Sequence, residues 1–479
     1  MRKIITIAIF ILIFSPSGFG RAKPIVFTDV TVIAMNGTAP QPGMTVVISG
    51  NRIIEIGPAE KTKFTGEVQT IDASGKFLIP GLWDMHAHML YPQSIDRLLS
   101  MLVANGITGV RDMNGPMAFD EIKELKRKIS SGETLGPRFF TPGQLIDGPG
   151  RTGSDLGPQI YPVTTAEEAR EAVRTLQAAG MDFIKIYNRV TPELLIAITG
   201  EAKRKQVPVA GHVPWGVSAF VASNAGVRSL EHLNNILESC ATVGEALREF
   251  ALNTIVNQQP FTKERIKQFF ALRNNVVASY DATLADSLFK TFLKNDTWQC
   301  PTLVSNRSVY LSVIDREMFA NDDRLKYIPA SLKESWFQNQ RYPIPSTPEG
   351  KRENYQKLVE ITAEMHHAGI RFLAGTDFGT PFVYPGFSLH DELAFLVEAG
   401  LSPQATLQTA TRNPAEFFGM LDSLGTVETG KIADLVLLDA NPLENIRHTK
   451  KINSVIVNGQ FISQDRLQEM LAALELVQR

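Results

Sequence analysis

Cysteine is almost absent: the 479-residue chain holds only Cys240 and Cys300. Two such residues, far apart, make no disulfide scaffold. Neither has a Cys or His neighbour at ligand spacing, which argues against a zinc–thiolate site. Both read as buried small hydrophobes. An excess of one charge is also missing. Lys and Arg together number 48 and Asp and Glu 50, a net charge of −2. With no long basic run, nothing favours nucleic acid or an anionic membrane as partner. There is no internal repeat and no low-complexity tract. Nor is there a phosphate loop. The stretch Asp147-Gly-Pro-Gly-Arg-Thr-Gly153 has glycines for close backbone approach or lid movement. It lacks the Gly-Lys-Ser/Thr ending and a following helix start.

Long apolar runs are missing everywhere except at the start. Arg2 and Lys3 precede an apolar run from Ile4 to Phe14, and Ser15, Pro16, Ser17, Gly18 and further small residues lead to Ala22. That is the layout of a secretory leader over residues 1–22, cleaved near Gly20 or Ala22. The run is short for a transmembrane span; an uncleaved anchor is the alternative. The cleavage region has no Cys nearby, which argues against a lipoprotein. The expectation is an exported protein, periplasmic or secreted, with no stable membrane span once cleaved.

What is present is ordinary globular composition, 44% hydrophobic and 20% charged, in a chain long enough for one large and one smaller domain. Short strands read at Ile25–Ile33, Thr45–Ile48 and Arg52–Ile56. Similar ones read at Asp434–Leu438, Ser454–Val457 and Gln460–Ser463, the last after an Asn458-Gly459 turn. The two ends, 23–80 and 421–479, are expected to build one small β-sandwich domain. Between them, over 81–420, short apolar strands alternate with amphipathic helices at 94–105, 165–179, 191–205 and 351–368. The strands read at Gly81–His88, Thr108–Asp112, Arg138–Thr141, Phe183–Tyr187, Val207–His212, Ser229–His232, Gln299–Val304 and Arg371–Asp377. That alternation predicts an α/β chain with a (β/α)8 TIM-type barrel. Residues 235–297 and 306–350 exceed ordinary connections and read as helical insertions or lids.

The unusual polar residues fall at the C-terminal ends of these strands, where a barrel places its active site. His86 and His88 end the first, Lys185 lies in the fourth, His212 ends the fifth, His232 the sixth and Asp377 the eighth. The i, i+2 spacing of His86 and His88 points both imidazoles to one face of a strand, where they could grip a divalent ion. Alone, such a triplet could equally be two surface histidines. Lys185 sits inside an apolar strand. Burial lowers a lysine's pKa, and the neutral amine can take up CO₂ as a carbamate able to bridge two metals. The alternative is an ion pair with a carboxylate such as Asp377.

These segments resemble the amidohydrolase superfamily. The resemblance is carried by Leu78-Ile-Pro-Gly-Leu-Trp-Asp-Met-His-Ala-His88, Ile184-Lys-Ile186, Gly211-His212, Glu231-His232 and Gly375-Thr-Asp377. It extends to Ala410-Thr-Arg-Asn-Pro-Ala415 and Gly425-Thr-Val-Glu-Thr-Gly-Lys-Ile-Ala-Asp-Leu435, and so spans nearly all of the mature chain. Within the superfamily the sequence looks most like the imidazolonepropionase-related branch that includes Xaa-Pro dipeptidases. The resemblance implies a binuclear site, with two Zn²⁺ or other divalent ions. His86, His88 and Asp377 would hold one ion, His212 and His232 the other, and carboxylated Lys185 would bridge them. It implies attack on a carbonyl by metal-bound hydroxide, with Asp377 as proton shuttle.

Weaker candidates surround these. Tyr187 shares Lys185's side of the strand and could bind a substrate carboxylate or oxyanion, or pack at the rim. Arg307 could bind a substrate carboxylate, or be a solvated loop arginine. His390 could line the pocket, or pack at a helix start. His366, His367 and His448 are assigned outside the site. Arg111 and Asp112 could be structural within the mouth. The implied function is hydrolysis of an amide in a peptide or N-acyl amino acid, a small-molecule substrate. A cyclic amidase, lactonase or phosphotriesterase would use the same site. A non-catalytic exported binding protein would show a degraded ligand set, whereas every expected position is filled.

Overall fold

The computed structural model describes residues 23–60, 62, 67–149, 159–256, 262–338 and 346–476. The expected leader at 1–22 and the second half of the Asp147–Gly153 loop lie outside the described residues.

Both chain ends contribute to one eight-stranded sheet. Its order runs Gln460–Ile462, Ile452–Val457, Leu435–Leu438, Phe77–Pro80, Ile25–Val32, Gln41–Ser49 and Arg52–Pro58, with Gln69–Asp72 pairing beside Ile25–Val32. The ends are joined where Leu435–Leu438 runs antiparallel to Phe77–Pro80, pairing Val436 with Ile79. Two-residue periodicity then assigns the faces. Leu435 and Leu437 enter a core with Phe27, Val46, Ile48 and Leu78. Val436 and Leu438 turn the other way, into the large core of the middle segment. Two of these strands, Gln69–Asp72 and Phe77–Pro80, were not expected from the sequence; four residues give too little periodicity to read.

The middle segment has a TIM-barrel-like α/β fold. Parallel strands Leu82–Ala87, Ile107–Asp112 and Arg138–Phe140 form one sheet. Parallel strands Ile160–Pro162, Leu145–Asp147, Ile184–Ile186, Val209–Gly211, Val227–Glu231 and Trp298–Cys300 form another, in that order. Three expected strands differ. The third is split, because the chain leaves its first partner after Phe140 and pairs with the next sheet from Leu145 onward. The seventh stops at Cys300: Pro301 offers no N–H, Thr302 takes a left-handed φ of 45°, and a helix begins at Leu303. The eighth, Arg371–Asp377, forms only isolated bridges. Its backbone divides its bonds between neighbours, Leu373 N to Gln299 O at 2.9 Å on one side and Asp377 N to His86 O at 2.6 Å on the other.

The four expected helices form at Ile95–Ala104, Ala166–Ala178, Pro192–Arg204 and Pro348–His367. Their starts follow local chemistry. Thr165 and Glu168 make a capping box, and Thr191 and Thr347 cap helices that open with proline, whose missing N–H costs nothing there. Both long connections are helical. The first holds Gly244–Val256, Lys263–Asn274 and Ala282–Asn295; the second holds Arg316–Ala320 and Ala330–Gln338. A C-terminal helix, Gln464–Leu476, packs Leu467 and Met470 against Val103 and Ala104. Among the described residues, no helix is long and apolar enough to cross a membrane.

Candidate metal centre

Parallel strands share one C-terminal edge, and there the structure gathers His86, His88, Lys185, Tyr187, His212, His232 and Asp377. His86 lies within Leu82–Ala87 and His88 just beyond it; His212 and His232 directly follow their strands. The imidazoles crowd together. Ring centroids are 5.6 Å apart for His86 and His88, 4.2 Å for His86 and His232, and 4.8 Å for His212 and His232. Asp377 Oδ1 lies 3.1 Å from His88 Nε2 and 3.5 Å from His86 Nε2. His232 and Asp377 have φ of 62° and 59°, left-handed values that non-glycine residues rarely adopt and that cluster at functional sites.

Each imidazole is anchored through Nδ1. His86 Nδ1 is 2.7 Å from Glu231 Oε2, and His88 Nδ1 is 3.1 Å from Asn114 O. His212 Nδ1 is 2.8 Å from Asn188 Oδ1, and His232 Nδ1 is 2.7 Å from Thr302 Oγ1. At His88 the partner is a carbonyl, which can only accept; at His86 it is a Glu231 oxygen that also accepts from Arg111. The proton then sits on Nδ1 and Nε2 keeps a lone pair. That outer-atom arrangement orients metal-binding histidines. His86 Nε2 is buried without a hydrogen-bond partner, a costly state unless something else binds it. Ligand atoms of His86, His88 and Asp377 all lie within 4.8 Å of one another. Two imidazole nitrogens and a carboxylate oxygen suit a borderline divalent cation, so these residues fit a metal ion.

The surroundings lower His86, His212, His232 and Asp377 alike. Burial, aided by neighbouring imidazoles and Lys185, holds His86 and His212 well below the ordinary histidine value. Burial also lowers His232, against the pull of Asp377. For Asp377, burial acts upward, but His232, His88 and His86 outweigh it and hold the carboxyl well below its usual range. Its Oδ2 accepts from Ser305 Oγ at 3.1 Å and Thr380 Oγ1 at 2.9 Å. Lys185 is 1% exposed, and burial brings its ammonium down to about 8, with Asp377 and Glu231 opposing.

Tyr187 joins the cluster, its ring 4.4 Å from that of His212 and 5.8 Å from Lys185 Nζ. Arg307 and His390 do not: neither takes the substrate-contact role offered for it, and His390 takes the alternative, packing at a helix start. Arg307 is carried into the helix Leu303–Leu311, where its Nη2 lies 3.1 Å from Met318 Sδ and its guanidinium covers Phe319 and Phe395. His390 is buried on the helix Phe387–Glu398, with Nε2 3.1 Å from Asn105 O and Nδ1 3.0 Å from Thr449 Oγ1. It packs the barrel flank to the Ile446–Lys450 turn. His448, bonded to Asn441 O, lies apart as expected.

Beneath the cluster lie residues of which sequence reasoning named Arg111 and Asp112, as structural within the mouth, and missed Asp84 and Glu231. Asp84 accepts from the Thr376 amide at 2.9 Å and its hydroxyl at 2.6 Å, tying the first strand to the eighth segment. Burial raises its carboxyl to about 7. Asp112 accepts from Met89 N at 2.8 Å and Thr141 Oγ1 at 2.9 Å, fixing the loop after His88. Asp84 was findable: it precedes His86 by two residues and so shares its face. Glu231 had a weaker signal, a carboxylate in an apolar strand beside a histidine. His86, Glu231 and Cys300 also lie close enough to form a ligand set. However, Arg111 already holds Glu231, and burial raises the Cys300 thiol well above its ordinary value, so no thiolate is offered.

Comparison with known proteins gives the family and the fold. The Amidohydrolase family pattern matches residues 77–462. An ochratoxinase of Aspergillus niger is 24% identical over 427 residues, covering 77% of this chain and 72% of that protein. The imidazolonepropionase of Fusobacterium nucleatum subsp. nucleatum is 22% identical over 458 residues, covering 91% of this chain and 93% of that protein. Among solved structures, a Xaa-Pro dipeptidase with methionine bound in its active site superposes with a TM-score of 0.65 at 20% identity. That match covers 92% of this chain and all of that one.

Proposed function

This chain belongs to the amidohydrolase family, a family of divalent-metal hydrolases, and acts as a hydrolase on C–N bonds; from that premise we propose that it is an exported binuclear-metal amidase cleaving a peptide or N-acyl amino acid. The observation that carries the reading is the convergence of His86, His88, Lys185, His212, His232 and Asp377 on one strand edge, with His86 Nε2 buried and unpartnered. In this reading His86, His88 and Asp377 hold one Zn²⁺, and His212 and His232 hold the other. Supporting export is the cationic, apolar and small-residue order of residues 1–22. In this reading the two barrel sheets close through the bridges of the eighth segment into a (β/α)8 barrel, and the one sheet made by 23–80 and 421–479 folds over as a small β-sandwich domain.

Ions bound there would lower the pKa of water toward neutrality and polarise the scissile carbonyl. The chain's own residues do the rest. Lys185, held down to about 8, has enough free amine near neutral pH to add CO₂ at Nζ, releasing one proton and leaving a carbamate anion. Asp377, kept ionised by the surrounding imidazoles, accepts the proton of the attacking water on its carboxylate and returns it to the leaving nitrogen. Ser305 and Thr380 hold Oδ2 while it does so. Tyr187 stands beside His212 to meet a substrate carboxylate or oxyanion.

The test is a library of dipeptides and N-acyl amino acids assayed with zinc-loaded chain 23–479, alongside elemental analysis. The expected result is about two divalent ions per chain and turnover of amides. Turnover of lactones or phosphotriesters without amides, or a full rate in metal-free protein, would overturn the reading.

A further inference from the structure

Glu231 has no place in the reaction described above, yet it is among the most elaborately held groups in the molecule. Its side chain is fully buried. Arg111 Nη2 lies 2.8 Å from both of its oxygens. Ser229 donates its hydroxyl to Oε1. The remaining contact, Oε2 to His86 Nδ1, is 2.7 Å. Arg111 is itself fixed, with Nε 2.5 Å from Met85 O, Nη1 2.6 Å from Ser229 Oγ, and its guanidinium over the Phe417 ring. A charged pair in a barrel interior contributes little stability by itself, since desolvation offsets the attraction. A well-packed apolar pair would serve a purely structural role as well.

We propose that Glu231 is a positioning residue for His86. Clamped by Arg111, its carboxylate holds the imidazole in the Nδ1–H form and aims the unpartnered Nε2 at the ion that His86 shares with His88 and Asp377. The three residues sit on the first, second and sixth barrel strands; the first two pair directly, so what the clamp adds is a tie from His86 to the sixth strand, which lies in the other sheet. Arg111 places its guanidinium against both oxygens of Glu231, fixing the carboxyl plane so that Oε2 faces Nδ1. The pairing makes His86 Nε2 a stronger electron donor than a backbone carbonyl would. The inference rests on the metal reading above.

The experiment compares wild type, Glu231→Gln and Ser229→Ala as chain 23–479. It uses Zn²⁺ competition against a calibrated chelator, thermal unfolding of the metal-free forms, and ¹⁵N-histidine spectra to report tautomers. The expected result is an Nδ1–H His86 in metal-free wild type. In Glu231→Gln that signature is altered and one ion binds about 10–100-fold more weakly; Ser229→Ala, which removes the Ser229 bonds to Arg111 and Glu231 but leaves Arg111 Nη2 on both Glu231 oxygens, changes affinity far less. The inference is overturned if Glu231→Gln lowers only the metal-free unfolding temperature while affinity and tautomer hold. It is equally overturned if metal-free wild-type His86 carries its proton on Nε2, a readout that needs no variant to fold. A wild type that binds no divalent ion would sink the metal reading instead, and the tautomer would still judge the positioning.

Discussion

Replacing Gly375 with alanine tests how tightly the candidate centre is built. Gly375 sits in the eighth segment, pressed between the first and seventh strands. A Cβ there would lie 2.6 Å from His86 N, 2.7 Å from His86 Cβ and 2.6 Å from Cys300 Sγ. Ordinary carbon contacts begin near 3.4 Å, so a neighbour must move by about 0.8 Å. None can do so freely. Cys300 and His86 are fully buried, His86 N is bonded to Asp84, and His86 O accepts from Asp377 N. Overpacking of this kind costs about 1–3 kcal/mol of stability. Because the displaced atoms carry His86 and Asp377, a shift on the order of 1 Å should also cost ~100-fold in kcat/KM. The assay is kcat/KM on the best library substrate, ion content, and thermal unfolding. Gly200→Ala is the matched control. It lies in the helix Pro192–Arg204 with nothing within 4 Å of the new Cβ, and should stabilise by up to about 1 kcal/mol with kcat unchanged. Adding Cys300→Ala to Gly375→Ala removes the sulfur contact but not those with His86, so stability should partly recover and activity should not. If Gly375→Ala keeps wild-type kcat/KM and metal content, the close approach does not fix His86 and the reasoning fails.

Lys185→Ala should lower the ion content from about two to one and reduce kcat/KM at least ~100-fold; elemental analysis and steady-state rates check this, and retention of both ions would refute a bridging lysine. Asp377→Asn keeps a ligating oxygen but cannot take a proton, so kcat should fall about 10²–10⁴-fold with KM little changed; an equal loss carried by KM would refute the shuttle role. Glu392 predicts a pH dependence of stability. Burial raises its carboxyl to about 8; Oε2 accepts from Val304 N at 2.8 Å and Oε1 has no partner. The folded state therefore holds this proton more tightly than the unfolded chain, where the group titrates near about 4.3. Its contribution is fully present below that value and is lost as pH rises to about 8, on the order of 5 kcal/mol at most. Denaturant unfolding between about pH 5 and 8.5 should show the decline, and Glu392→Gln should flatten it.

The residues at the centre were legible because strand-end position and residue type are both sequence properties. His86, His88, Lys185, His212, His232 and Asp377 each stood at the end of, or inside, a short apolar run. Parallel strands alternating with helices send all such ends to one edge. The four expected helices formed within a few residues of their read boundaries, since Thr165, Thr191 and Thr347 cap them through local bonds. Arg371–Asp377 was read as a regular strand and is not one, because its pairing depends on two neighbours distant in the chain.

The sequence by itself therefore determined the alternating architecture, the joining of the two ends, and the set of imidazoles, lysine and carboxylate that could meet a metal ion. These follow from periodicity, capping and residue type, which act over a few residues. Only the tertiary structure decided what holds those groups and which candidates stay away. Glu231 meets both His86 and Arg111 across more than a hundred residues of chain. Arg307 is turned aside by a helix starting at Leu303, and His390 is claimed by Asn105 and Thr449. Contacts of that range are made when strands and helices pack, and no local pattern encodes where a side chain finds its partner.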